Sequence, residues 1–172
     1  MIKRWQEDIL REELSVRRGV HLTGARQCGK STLAEYVAEG TMRHLTLDDE
    51  ILREAAKKDP KSFVDRIDGR TLVIDEVQKA TELLEAIKMK VDHDATPGQY
   101  LLTGSSNLRF TTAVKDSLAG RLGRVRLRTL ALGEIQGGKG DFLQPCVQFR
   151  RLLRHSRCIL PDSVQVAFFR QG

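Results

Sequence analysis

The chain has 172 residues, of which 40% are hydrophobic and 30% charged, so it can bury one sizeable core but is short for two complete domains. It has no run of about 18 apolar residues that could cross a bilayer, and its first residues, MIKRWQEDILREE, lack the apolar core and cleavage site of a secretory signal. We therefore expect a cytoplasmic protein that does not insert into membranes. The net charge is +6, but residues 145–172 carry five arginines against one aspartate, so the basic excess supports nucleic-acid binding only weakly.

The first part of the chain predicts a helix, a strand, a glycine-containing loop and a second helix. Apolar residues recur at helical intervals between charged neighbours over residues 2–16, which indicates an amphipathic helix: Ile2, Trp5, Ile9, Leu10 and Leu14. We expect Gly19 to end that helix. The apolar run at residues 19–23 predicts the strand, and residues 30–39 predict the second helix.

The next segment predicts a strand followed by two helices. RHLTLDD, residues 43–49, has the aliphatic and β-branched content of a strand. Asp48 or Asp49 is expected to cap a helix that runs to Lys58. Pro60 stops this helix and suits the first turn of another.

Three further strands complete the pattern. TLVID, residues 71–75, is apolar without alternation, which indicates a strand buried on both faces, as in a parallel sheet. A helix is predicted over residues 82–91, and QYLLTG, residues 99–104, predicts the next strand. In RVRLRTL, residues 124–130, apolar and basic residues alternate, so this fifth strand would lie at an edge with one basic face. Strands that alternate with helices at this spacing indicate an α/β fold with a mostly parallel sheet.

The loop before the second helix reads GARQCGKST, residues 24–32, and matches the phosphate-binding pattern GxxxxGK(S/T), or Walker A. Its glycines let consecutive backbone N–H groups curl around phosphate oxygens, and the following helix directs its positive end at the same anion. Ordinary glycine turns can match the pattern by chance, but the predicted strand and helix on either side provide the confirming context. The expected nucleotide contacts come from the whole loop: Gly24, Ala25, Arg26, Gln27, Cys28, Gly29, Lys30, Ser31 and Thr32.

The side chains needed for hydrolysis are expected at the end of this loop and at the end of the strand in LVIDE, residues 72–76. Lys30 would contact the β- and γ-phosphates, and the Ser31 hydroxyl would bind Mg²⁺ with support from Thr32. Asp75 would hold the same metal, as in a Walker B motif, and Glu76 would activate the attacking water. Alternatively, two acidic residues can follow a strand only because the end of a strand is exposed to water. The phosphate site of open α/β sheets, however, lies at the carboxyl ends of the strands.

Cysteine and histidine residues indicate no metal centre. Cys28, Cys146 and Cys158 lack the spacing of a zinc site or of a disulfide framework, so we expect them to be reduced. The four histidines show no ligand spacing either. Because Cys28 lies inside the loop, we expect alkylation of its thiol to block nucleotide binding.

Five segments, in the order GARQCGKST, LTLDD, LVIDEVQK, YLLTGSSN and SLAGRLGRVRL, resemble the AAA-type (AAA+) P-loop ATPase module of bacterial and archaeal proteins that join it to a C-terminal domain of unassigned function. The likeness covers residues 1–144. It implies a three-layer α/β/α P-loop NTPase fold in which the strand QYLLTG lies between the loop strand and the strand that ends at Asp75. It also implies ATP and Mg²⁺ as ligands and ATP hydrolysis as the reaction.

The same resemblance suggests two further site residues. The end of QYLLTGSSN corresponds to a sensor that contacts the attacking water or the γ-phosphate, with Ser105 as first choice and Thr103 as second; a hydroxyl that satisfies backbone groups is the alternative. SLAGR precedes the last strand, which makes Arg121 a candidate arginine finger, with Arg124 as runner-up and a merely solvated arginine as the alternative. A finger that acts in a neighbouring subunit would imply a homo-oligomer.

Residues 145–172 depart from the likeness. They contain no lysine or glutamate and hold two of the three cysteines, whereas family members continue into a helical lid. We interpret this segment as a truncated or frame-shifted end, with a divergent basic tail that binds nucleic acid through phosphates as the alternative. Nucleotide binding is then expected to survive better than hydrolysis.

The leading hypothesis is therefore Mg²⁺-dependent ATP hydrolysis. A nucleotide-controlled switch with little turnover is the alternative, and DNA association through the arginines of the edge strand is compatible with either. A GTPase is disfavoured because no NKxD base-reading motif follows the loop.

Overall fold

The computed structural model describes residues 2–38, 42–65, 71–105, 118–131 and 134. The sensor candidate Ser105 is described by its backbone only. The predicted tail and the boundary expected at residue 144 lie outside the described residues. The chain divides into two compact units, Met1–Leu130 and Ala131–Gly172, and the helices and strands below all belong to the first.

Helices and strands alternate along the described chain as the sequence predicts. In order they are α1 (Gln6–Val16), β1 (Gly19–Gly24), α2 (Lys30–Ala38), β2 (Met42–Thr46), α3 (Glu50–Lys58), α4 (Pro60–Val64), β3 (Thr71–Asp75), α5 (Leu83–His93), β4 (Tyr100–Ser105) and β5 (Leu122–Leu127), with a 3-10 turn (Val77–Lys79) between β3 and α5. Asp49, rather than Asp48, caps α3 by accepting the backbone N–H groups of Ile51 and Leu52. None of the described helices has both the length and the apolar character needed to cross a bilayer.

The five strands form one parallel sheet in the order β2-β3-β4-β1-β5. β4 therefore lies between the loop strand and the Asp75 strand, as the resemblance implies. β5 forms an edge and ends at Leu127, three residues earlier than predicted. Its alternation is confirmed, because Arg124 and Arg126 are exposed while Val125 and Leu127 are buried.

Each face of the sheet is covered by its own apolar cluster, which makes the fold a three-layer α/β/α sandwich. On one face, α1 and α2 pack against the sheet through Leu10, Leu14 and Leu33. On the other face, α3, α4 and α5 contribute to a cluster that includes Phe63 and Ile87. Parallel strands covered on both sides are apolar throughout, and the central residues of β3 are fully buried.

The prediction for α1 is correct in type and wrong in detail. The helix begins at Gln6 and ends at Val16, and Gly19 is already the first residue of β1. Leu10 and Leu14 face the core, but Trp5 and Ile9 are 61% and 51% exposed. Two apolar stripes occur on this short helix, and the sheet covers one of them.

Candidate functional site

The loop between β1 and α2 has a backbone that requires both of its glycines. Gln27 and Gly29 have φ angles of 62° and 90°, in the left-handed region that glycine enters without strain. Gly24 is needed for a different reason, since a Cβ atom there would lie 2.5 Å from the carbonyl oxygen of Leu127. The chain therefore passes tightly against β5 and then turns sharply into α2.

Lys30 begins α2 and lies across this loop. It is 6% exposed, and its Nζ donates to the carbonyl oxygens of Ala25 at 2.9 Å and Gly24 at 3.3 Å. The first turn of α2 contains no acidic residue of its own, so no side chain of the helix itself offsets the positive end of its dipole. The ammonium group, the dipole and the loop amides together favour an anion.

The Asp75 carboxylate, at the end of β3, contacts two hydroxyl groups: Ser31 in the first turn of α2 and Thr103 in β4. The Ser31 hydroxyl donates to Asp75 Oδ1 at 3.0 Å, and the Thr103 hydroxyl donates to the same oxygen. Oxygen ligands in the octahedral shell of Mg²⁺ lie about 3 Å from their nearest neighbours. The Ser31 and Asp75 oxygens therefore fit adjacent positions of a magnesium ion.

Glu76 follows Asp75 in a left-handed conformation, with φ of 57°. Its backbone N–H donates to the Thr103 hydroxyl oxygen at 3.3 Å, and its carboxylate accepts a hydrogen bond from Gln78 Nε2. A left-handed non-glycine residue costs free energy and persists only where its surroundings hold it. These contacts hold Glu76 beside the mouth of the loop.

The loop, the start of α2 and the residues that follow β2 and β3 line a pocket of about 680 Å³, within the size range of small-molecule sites. Seven of the lining residues are residues that the sequence predicts for the site, and the other three are not. Its lining residues are Arg26, Gln27, Gly29, Lys30, Ser31, Thr32, Asp48, Glu76, Gln78 and Lys79.

Three lining residues were not predicted as site residues: Asp48, which the sequence suggested as a helix cap, Gln78 and Lys79. Asp48 and Lys79 form an ion pair at the pocket wall, and Gln78 contacts Glu76. A signal for them exists in the sequence. Gln78 and Lys79 follow Glu76 within one turn, and Asp48 directly follows the predicted strand RHLT. The structure then pairs Thr46 of that strand with Asp75, which brings Asp48 to the site.

A family model described as AAA domain matches residues 16–136. The chain belongs to the AAA domain family. It is thus an AAA-type P-loop ATPase module with nucleotide binding as its general function, as the sequence indicates. The sheet and the loop described above lie within the matched residues.

Two curated relatives are uncharacterized proteins of Mycobacterium tuberculosis (strain ATCC 25618 / H37Rv) and Mycobacterium bovis (strain ATCC BAA-935 / AF2122/97). Each is 30% identical over 135 residues, which cover 74% of this chain and 30% of the relative. The chain therefore spans less than a third of the length of these relatives.

Among solved structures, a Walker-type ATPase of Pyrococcus abyssi is similar, with a TM-score of 0.54 and 16% sequence identity. The similarity covers 95% of this chain and 61% of that one. This likeness supports the fold alone.

Cys28 points away from the pocket of the AAA domain. It is 6% exposed, and its Sγ donates to the carbonyl oxygen of Leu127 at 3.7 Å. The thiol therefore faces β5, and the expectation that alkylation would block nucleotide binding from within the pocket does not fit this orientation. The backbone of Cys28 remains part of the loop.

Arg121 lies at the amino ends of the strands, whereas Lys30 lies at their carboxyl ends. It precedes Leu122, which pairs with Gly19 at the start of β1, whereas the loop follows the end of β1, roughly 16 Å further along a strand of this length. The Arg121 guanidinium forms an ion pair with Asp92, with Nη2 3.0 Å from Oδ2. Hydrogen bonding to Arg121 lowers the pKa of Asp92.

The described residues contain no group of three or more histidine, cysteine or acidic residues that could hold a metal ion.

His21 and His44 lie in strands, as predicted. Burial, with a smaller effect of the positive charge of Arg124, lowers the pKa of His21 to about 4. His21 is therefore a neutral residue of the sheet rather than a proton donor at neutral pH.

Proposed function

We propose that the chain binds ATP with Mg²⁺ in this pocket and hydrolyses it to ADP and phosphate. The observation that carries the proposal is the convergence of Ser31, Asp75 and Glu76 beside Lys30. A metal-binding oxygen pair and a carboxylate for water activation thus lie next to the anion-binding loop. We further propose a cytoplasmic location, because ATP is available there.

In the proposed complex, the loop amides and the Lys30 ammonium bind the β- and γ-phosphates. Ser31 and Asp75 would hold Mg²⁺, which supplies charge neutralisation to the phosphates. The Glu76 carboxylate accepts a proton from a water molecule as the water oxygen bonds to the γ-phosphorus. The bond from that phosphorus to the bridging oxygen breaks, and ADP leaves.

The sensor and finger roles belong to the same proposal. Thr103 contacts both acidic residues of the site, which supports a role in positioning them, whereas Ser105 stays a prediction because its side chain is outside the described residues. The position of Arg121 at the amino ends of the strands, opposite the loop, supports a finger that acts on a second copy of the chain, with Arg124 as the neighbouring alternative. The exposed arginines of β5 also leave nucleic acid as a candidate partner.

A nucleotide-controlled switch with little turnover is the second candidate. The observation that favours it is the hydrogen bond from Gln78 to Glu76, because it engages the carboxylate that would activate water. A domain held in this state would bind ATP and release phosphate slowly.

Calorimetry with ATP and steady-state phosphate release, on three variants, test the proposal. Lys30→Met is expected to weaken ATP binding at least tenfold, whereas Lys57→Met, on the exposed side of α3, should match wild type. Glu76→Gln is expected to retain ATP affinity and to lose at least 100-fold in phosphate release, a loss in the range of general-base catalysis. Equal and negligible release by wild type and Glu76→Gln, with ATP affinity retained, would favour the switch. No binding of ATP by folded wild-type protein would overturn both candidates.

A further inference from the structure

Arg4 precedes α1 and is 5% exposed, although arginine is rarely buried. Within the described part of the chain, its guanidinium contacts backbone carbonyl groups of two distant segments. Nη1 donates to the carbonyl oxygen of Cys28 at 2.9 Å, and Nη2 donates to that of Arg128 at 2.6 Å. One side chain therefore joins the segment before α1, the phosphate loop and the residue that follows β5.

The contact with Cys28 fixes the direction of a loop amide. The Cys28 carbonyl and the Gly29 N–H belong to one planar trans peptide and point in opposite directions. With the carbonyl directed at Arg4, the Gly29 N–H is directed away from Arg4. Gly29 lines the pocket, and a Cβ added to it would lie 3.5 Å from Arg4 Nη1, so the guanidinium lies immediately behind this peptide.

The charge of Arg4 also affects the strength of that amide as a donor. A hydrogen bond from a charged group is stronger than one between neutral groups, and hydrogen bonds at the two ends of a peptide polarise each other. The hydrogen bond from the Arg4 guanidinium to the Cys28 carbonyl therefore makes the Gly29 N–H a stronger donor to an anion.

We propose that Arg4 is a positioning residue for nucleotide binding. It holds the Cys28–Gly29 peptide so that the Gly29 N–H donates to a phosphate oxygen of the nucleotide, and it thereby makes nucleotide affinity depend on the segment before α1. This inference rests on the proposed binding of nucleotide in the loop and is independent of hydrolysis.

Calorimetric titration of the full chain with ADP tests this role. Arg4→Met removes the hydrogen bonds to Cys28 and Arg128, and Arg4→Lys keeps a charge but lacks the planar, two-pronged donor geometry. Each is expected to raise the Kd for ADP about tenfold or more, the size expected for one charged hydrogen bond. Lys3→Met is the matched control, because Lys3 is 71% exposed and pairs with Asp8; its Kd should stay within about twofold of wild type. Equal ADP affinity in wild type and both Arg4 variants would overturn the inference and leave the proposed function intact.

The Gly29 amide resonance separates this role from a general effect on folding. In wild-type protein titrated with pyrophosphate, the ¹⁵N–¹H signal of Gly29 should move with the signals of the other loop amides. If those signals move and the Gly29 signal does not, the inference is wrong, whatever the stability of the variants. In folded Arg4→Lys, the pyrophosphate-induced shift of Gly29 should shrink. If neither ADP nor pyrophosphate moves any signal of the wild-type loop, the proposed function itself fails, and this inference fails with it.

Discussion

The hydroxyl of Thr103 donates to Oδ1 of Asp75, so the ends of β4 and β3 are joined at the site. Thr103 is fully buried and also accepts the backbone N–H of Glu76 at 3.3 Å. One hydroxyl group thus contacts both acidic residues of the proposed site. Its contacts are of the kind that orient metal ligands in proteins.

Thr103→Val tests this orientation, because valine keeps the shape of threonine and removes the hydroxyl. We expect the kcat for ATP hydrolysis to fall about 10–100-fold, as for other groups that orient a metal ligand. Affinity for ATP measured without Mg²⁺ should stay within about twofold, since Thr103 does not line the pocket. Phosphate release and calorimetry provide the two measurements.

Thr23→Val provides the control for the same chemical change. Thr23 is buried on β1 and donates to the carbonyl oxygen of Val125 at 3.3 Å, away from the acidic pair. Its kcat should match wild type after correction for any loss of folded protein. A similar fall in kcat in both variants would show that Thr103 acts on stability alone.

Much of this site could be predicted from the sequence because its signals are local. The loop pattern, the strand before it and the helix after it lie within residues 19–38, and Asp75 with Glu76 ends an apolar run. The contacts of Arg4 are different, because the donor and the carbonyl of Arg128 are 124 residues apart. No periodicity or spacing encodes a hydrogen bond from a side chain to a distant backbone carbonyl.

The orientation of α1 shows a second limit. The spacing of its apolar residues predicts a helix, but it does not say which of two stripes meets the sheet. The answer depends on the residues of β1 and β5 that the helix contacts. Leu10 and Leu14 form part of that buried cluster, while Trp5 and Ile9 remain on the outside. The edge position of β5 was easier to predict, since its arginines alternate with apolar residues.

Arg121 is expected to affect hydrolysis only where chains associate. Because Arg121 lies at the amino end of β5, away from the loop at the carboxyl end of β1, Arg121→Ala should leave the ATP affinity of dilute protein unchanged. Wild-type phosphate release per chain should rise with protein concentration, by at least about tenfold if an arginine finger acts in trans, and the rise should be absent in the variant. Asp92→Asn, which removes the ion-pair partner, should retain it. A loss of activity in Arg121→Ala that is the same at every concentration would contradict the trans role.

Cys28 is expected to react slowly with iodoacetamide in the folded protein. The measurement uses a chain with Cys146→Ser and Cys158→Ser, so that Cys28 is its only thiol. Since the thiol is buried against β5, labelling should be at least about 100-fold slower than in urea-unfolded protein, because it requires local opening. Rapid labelling that ATP prevents would instead place the thiol in the pocket.

His21 is expected to make the AAA domain less stable in mild acid. Its pKa falls from 6.5 to about 4 on folding, because burial and the charge of Arg124 oppose a second positive charge. Well above pH 6.5 His21 is neutral in both states and contributes nothing to the pH dependence. As the pH falls from 6.5 towards 4, the unfolded chain binds a proton that the folded chain does not, so the free energy of unfolding decreases; below pH 4 the effect levels off.

The size of this effect can be isolated with His21→Leu. Between pH 7 and pH 5, the linkage predicts a loss of about 2 kcal/mol of unfolding free energy from His21 alone. Urea unfolding at the two pH values should show that the loss in His21→Leu is smaller than in wild type by about this amount. His44→Leu, in the partly exposed strand β2, serves as the control for replacing a strand histidine. Arg124→Gln should reduce the loss by a smaller amount, because burial is the larger cause of the lowered pKa of His21. An identical pH dependence in wild type and His21→Leu would show that His21 takes up its proton equally well in the folded chain.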